Sequence, residues 1–159
     1  MPWMVVTDAE IKQIKAQAIR EYPYECCGVV FTQRESGQRV LLECRNQQNE
    51  LHEKNKVEHP RDASQAYSIH RDDLRKIEQF LNQGFDLTVL YHSHVDVGAY
   101  FSETDKRAAT LGTPYPSYPD TVYLVVSVRG KGAIHVDDAA AFRWSEEKRD
   151  FAGVPFRLT

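Results

Sequence analysis

Near the start of the chain, Ile11, Ile14, Ala18 and Ile19 recur at helical spacing until Pro23 stops the run. Thr7 followed three residues later by Glu10 forms a capping box, in which each side chain can satisfy a backbone N–H that the first turn leaves unpaired, so the helix begins there. Residues 26–32 and 39–44 are β-prone runs separated by the turn-like Arg34, Glu35, Ser36 and Gly37, which predicts a hairpin. Residues 46–65 are polar and aperiodic and are expected to form a long loop, a length usually kept for function. After a short strand at 67–69, Leu74, Ile77, Phe80 and Leu81 make the apolar stripe of a second helix that Gly84 terminates.

Residues 87–91 have the pattern of a buried strand that runs on into His92, Ser93 and His94. A third helix is predicted from Ser102 to near Gly112. The proline-interrupted residues 113–119 then lead into the most apolar strand, 122–128. Gly130 and Gly132 mark a turn before short strands around Ile134, Phe142 and Phe151. The order is mixed α/β without internal repeats, which predicts a central mixed β-sheet flanked by helices.

Composition narrows the function. The chain has 159 residues, 42% of them hydrophobic, which is enough for one globular domain over residues 1–159. Twenty basic against twenty-three acidic side chains, a net charge of −3, leave no positive excess to hold a phosphate backbone, so nucleic acid is not an expected partner. No apolar run approaches the ~20 residues of a spanning helix, and residues 1–10 lack the basic-then-apolar order of a secretory leader. Cys26, Cys27 and Cys44, an odd count with an adjacent pair, argue against a disulfide framework and for a reducing cytoplasm. None lies in a C-x-x-C arrangement, so they are expected in the core.

The chemistry concentrates in His92-Ser93-His94, Ser102 and Asp105. Residues i and i+2 of a strand point to one face, so the two imidazoles can meet at one point, and Asp105 sits in the first turn of the next helix. Singly, each has a plainer reading: two ordinary strand histidines, and an S-x-x-D helix cap. Together they present two nitrogens and one carboxylate oxygen with a fourth position open, the composition of a catalytic zinc site. Ser102 can cap the helix while Asp105 binds metal.

These residues resemble the H-[ST]-H-x7-S-x2-D signature of the JAMM (MPN+) metalloproteases. The likeness extends upstream to Glu25-Cys26-Cys27-Gly28-Val29-Val30 and to the stretch from Tyr67 to Leu74, and so runs through most of residues 10–128. The resemblance implies a JAMM/MPN domain of cytidine-deaminase-like architecture, with one Zn2+ per chain on His92, His94 and Asp105. It also implies that Glu25 handles the protons of the attacking water and that Ser102 stabilises the tetrahedral intermediate. The implied reaction is hydrolysis of the peptide or isopeptide bond after the C-terminal glycine of a ubiquitin-like or sulphur-carrier protein with a Gly-Gly tail. Glu25 precedes an apolar strand and adjoins two cysteines, a setting in which a carboxylate can act as general base. Where many prokaryotic members have prolines, this chain has Val95 and Phe101, which changes the expected path of the loop between them.

Three other readings compete. A zinc deaminase needs P-C-x-x-C, which is absent. A non-haem iron oxygenase shares two histidines and a carboxylate but arranges them on a β-barrel. A non-catalytic binding module for ubiquitin-like proteins would not need all five residues. His70 and His135 are expected at the surface or in loops, as are His52 and His59, which are also candidate substrate contacts.

Overall fold

The Thr7–Glu10 pairing forms as its spacing predicts. Thr7 N–H donates to Glu10 Oε1 (3.0 Å) and Glu10 N–H to Thr7 Oγ1 (3.1 Å), opening α1 (Asp8–Glu21) in a computed structural model that describes residues 5–158. The hairpin follows as β1 (Cys27–Gln33) and β2 (Arg39–Cys44). Arg39 reaches back to both oxygens of Glu10 (2.9 and 2.8 Å), a forked, charge-assisted contact that ties the helix to the sheet.

Strands β3 (Phe85–Val95), β4 (Val122–Arg129), β5 (His135–Ser145) and β6 (Asp150–Val154) complete one sheet in the order β2-β1-β3-β4-β5-β6. Every neighbouring pair is antiparallel except β3 and β4. A parallel pair cannot be joined by a tight turn, so the chain crosses over through α4 (Glu103–Thr110). That crossover returns the first turn of α4 to the end of β3.

Side-chain alternation divides the core between the two faces of the sheet. On one face Ile14 and Ala18 of α1 pack against Val30, Val89, Tyr91, Leu124 and Val126. On the other lie Phe31, Leu90, Tyr123 and Val125, covered by α3 (Arg71–Asn82) through Ile77 and by α4 through Ala109. His92 and His94 follow Leu90 at two-residue steps and share this second face. Among the described residues, no helix is long and apolar enough to cross a membrane.

Three expected elements differ. Residues 46–65 are not all loop: they contain α2 (Gln48–Lys54), whose seven residues include one large aliphatic, Leu51, and so show no periodicity. Polar contacts hold this helix instead, with Asn46 Oδ1 accepting from Gln48 N–H (3.0 Å) and Gln48 Nε2 donating to the Arg61 carbonyl (2.9 Å). The strand expected at 67–69 is a single antiparallel bridge between Asn46 and Ile69. The strands expected around Ile134 and Phe142 are one, β5, and Ile134 lies just before it; exposed Asp137 and Asp138 break the apolar pattern, and the pairing with β4 shifts register at Asp137 and continues on both sides.

Gly28 pairs with Tyr91 across β1 and β3, and the tyrosine ring lies over it: a Cβ at position 28 would come within 2.1 Å of Tyr91 Oη. That hydroxyl donates to Gln17 Oε1, and Gln17 Nε2 donates to the Cys27 carbonyl (3.0 Å), all of it buried. Gly28→Ala is therefore expected to lower stability by about 1–3 kcal/mol, as overpacked cores do, measured by denaturant unfolding; a wild-type midpoint would show that Tyr91 moves aside freely.

Candidate metal centre

The three residues paired by spacing in the sequence meet in space. His92 Nε2 lies 3.2 Å from Asp105 Oδ1 and His94 Nε2 lies 3.0 Å from Asp105 Oδ2, and all three side chains are buried. One donor atom from each falls within 4.8 Å of the others, so the three together could hold a metal ion. Burial alone would raise the Asp105 carboxyl, but the two imidazoles outweigh it and hold the group well below the usual carboxylate range.

Local contacts fix each ligand. His94 Nδ1–H donates to the Gly98 carbonyl (2.9 Å), which leaves Nε2 to face the centre, and Tyr100 stands edge-on to the ring. His92 is stacked by Tyr67 (centroids 4.5 Å apart); its Nδ1 has no partner, and its Nε2 meets Asp105 Oδ1 at 3.2 Å without the alignment of a hydrogen bond. Ser102 caps α4: its Oγ accepts from Asp105 N–H (3.0 Å), while Ser102 N–H donates to Asp105 Oδ2 (3.1 Å). The capping box and the ligand are thus one carboxylate in two roles, as the spacing allows.

The loop between Val95 and Phe101 holds its path without prolines. Asp96 adopts a left-handed conformation (φ 59°) and accepts from Tyr22 Oη (2.6 Å) and Gly130 N–H (2.8 Å), while Ser127 Oγ donates to the Val97 carbonyl. Phe101 is buried among Tyr123, Phe142 and Phe151.

Glu25 joins the same centre although it lies far upstream. It is 4% exposed, its Oε1 has no hydrogen-bond partner, and burial, then the neighbouring Asp105 charge, push its carboxyl up from 4.5 to about 9 against an opposing effect of Arg61. Ser93, between the two histidines, brings it there: its Oγ accepts from Cys26 N–H (2.8 Å) and its N–H donates to the Cys26 carbonyl (3.0 Å). Glu25 Oε1 is thus a buried polar atom lacking the partner that a cation's water would provide, and His92 Nε2 has Asp105 Oδ1 alone near it.

Beside the centre, a cavity of about 1060 Å3 runs between residues 48–69 and α4. Leu90 and Tyr123 line it, the Tyr123 hydroxyl buried without a partner, and so do Arg61 and Arg107. His59 lines this cavity, whereas His52 Nδ1 donates to the His59 carbonyl (2.8 Å) and does not. His70 caps α3, and His135 is exposed. All three cysteines are buried and free, with burial pushing the Cys26 and Cys44 thiols up to about 12, which is core chemistry and not that of a nucleophile.

The chain belongs to the prokaryotic homologs of the JAB domain, whose family model matches residues 7–145, a family that includes metalloproteases. Two solution structures resemble it. Protein DSY2949 from Desulfitobacterium hafniense shares 18% identity over 96% of this chain and 90% of its own, with a TM-score of 0.60. A protein from Salinibacter ruber shares 22% over the same fractions, with a TM-score of 0.56. At these identities the likeness is one of fold. No curated protein matches the sequence.

The protein is expected to retain one divalent ion per chain after dialysis and His94→Ala to lose it, read by elemental analysis; equal metal content in both would overturn the ligand set. In metal-free protein, Glu25 binds its proton more tightly folded than unfolded, so the stability it contributes is fully present below about 4.5 and is lost as pH rises toward about 9. Glu25→Gln removes that dependence. Its stability advantage over the metal-free wild type is expected to grow across this window in denaturant melts, and a pH-independent difference would place the carboxyl in water.

Proposed function

We propose that this chain is a zinc-dependent peptidase that hydrolyses the bond after the C-terminal glycine of a ubiquitin-like or sulphur-carrier protein. The observation that carries the reading is the buried carboxyl of Glu25, its Oε1 without a hydrogen-bond partner, beside a candidate donor set of two imidazoles and one carboxylate. Three ligands of mixed nitrogen and oxygen type are the catalytic complement for zinc, since structural sites close the fourth position with protein. Zinc held by His92, His94 and Asp105 supplies carbonyl polarisation and a water acidic enough to react near neutral pH.

The chain's own groups do the rest. Glu25 takes a proton from the attacking water and returns it to the leaving amine, a task that its buried carboxyl beside the donor set is placed for. Ser102 Oγ accepts from Asp105 N–H, so its own hydrogen remains free to donate to the oxygen on which negative charge develops. The cavity lined by residues 48–69 and α4, beside Tyr67 that stacks on His92, is where an extended glycine-ended tail would lie in this reading. Three free thiols suit a reducing compartment such as the cytoplasm.

A fusion of a Gly-Gly-terminated ubiquitin-like protein to a reporter peptide tests the reading. The zinc-loaded chain is expected to cut after the second glycine and to stop when a chelator is added; binding without cleavage would make it a recognition module. Glu25→Gln should keep its zinc and lose about 10²–10⁴-fold in kcat, whereas His92→Ala should lose metal and activity together. A Gln variant with the wild-type rate would remove Glu25 from the mechanism.

A further inference from the structure

Glu25 precedes β1 and owes its place to contacts from elsewhere in the chain. Its N–H donates to the Ala63 carbonyl (2.8 Å), and its carbonyl accepts from Asn46 Nδ2 (2.9 Å). The peptide unit joining Glu25 to Cys26 is therefore held at both ends, its oxygen by Asn46 and its N–H by Ser93 Oγ (2.8 Å). A peptide unit is planar, so two such bonds fix its orientation and, with the Ala63 contact, the direction in which the Glu25 side chain leaves the backbone.

Asn46 spends its whole hydrogen-bonding capacity here. Its second amide hydrogen goes to the Ala66 carbonyl (3.2 Å), and Oδ1 accepts from the N–H groups of Gln48 and Ser68 (3.0 Å each). Through one primary amide, the end of β2, the start of α2, residues 66–68 of the cavity wall and the backbone of Glu25 are joined. Nearby, Asn49 Oδ1 accepts from Ala63 N–H (2.8 Å), fixing the residue whose carbonyl holds Glu25 N–H.

We infer that Asn46 is a positioning residue for Glu25, aiming its carboxyl at the centre and coupling it to the wall along which substrate lies. This role rests on the hydrolytic reading above. A displacement of about 1 Å in a reacting group can cost ~10²-fold in rate, so the loss should appear in kcat and leave metal and substrate binding intact.

Asn46→Asp keeps the two accepting contacts and turns the two donating ones into oxygen facing oxygen. In the full-length, zinc-loaded chain, with the Gly-Gly reporter fusion as substrate, it is expected to keep its metal, hold KM within ~3-fold and lose ~10–100-fold in kcat. In a Glu25→Gln background the same change should cost less than ~3-fold, because the group it positions is already gone; a structural defect would carry through undiminished. Circular dichroism melts report folding, and if Asn46→Asp does not fold, Asn46→Ala enters the same cycle. Unchanged kcat, or equal losses in both backgrounds, overturns the role of Asn46 while wild-type hydrolysis still supports the functional reading. A wild-type chain that does not hydrolyse the fusion overturns both.

Discussion

The antiparallel register of β1 and β3 sets Cys27 opposite His92, and the arrangement of the centre follows from that pairing. From Val30 to Cys27, beyond the register shift at Val30/Phe31, the pairing runs evenly, so Cys26 meets Ser93 at the strand end and Glu25 is left one residue beyond, beside the candidate metal ligands. A slip of one residue would turn every side chain of β3 to the other face, exchanging His92 and His94 for Ser93. The register is secured by burial on both faces and by the Tyr91 ring seated on Gly28, a fit that no other residue at position 28 allows without movement. Packing far from the chemistry thus decides which groups the chemistry receives.

The second half of the centre depends on the one parallel pair in the sheet. Joining β3 to β4 in the same direction requires a crossover, and the start of α4 is its first regular turn. Asp105 therefore reaches the histidines as the third helical residue after a serine cap. Asp96 and Ser127 hold the intervening loop from either side, so the Gly98 carbonyl lies where it selects the tautomer of His94. Burying these charged and polar groups is offset because most of their atoms have partners; among the described residues Glu25 Oε1 and His92 Nδ1 lack one at the centre, and Tyr123 Oη lacks one in the cavity lining.

What was legible in the sequence was local. The capping boxes at Thr7 and Ser102 and the two-residue step from His92 to His94 are short-range geometry, and each appears where its spacing puts it. Glu25 had a weaker signal, its place before an apolar strand together with the family resemblance, because what brings it to the centre is the contact of Cys26 with Ser93, 67 residues downstream. Tyr67, Asn46 and Ser93 escaped for the same reason, since stacking on His92 or bridging two distant backbones leaves no periodic trace. Helix α2 was hidden by a polar surface and is held by side-chain amides, which a pattern of apolar residues cannot report.

One carboxylate of Asp105 closes the first turn of α4 on Ser102 N–H and also offers itself to a cation. Two equilibria that share a group are thermodynamically linked, and linkage is reciprocal. An ion that steadies the carboxylate steadies the turn, and whatever steadies the turn tightens the ion by the same factor. Glu103, at the head of that turn, is exposed and lines the cavity. A substitution that loosens this turn would therefore weaken cation binding without removing a donor atom, and loss of the cation would loosen the turn.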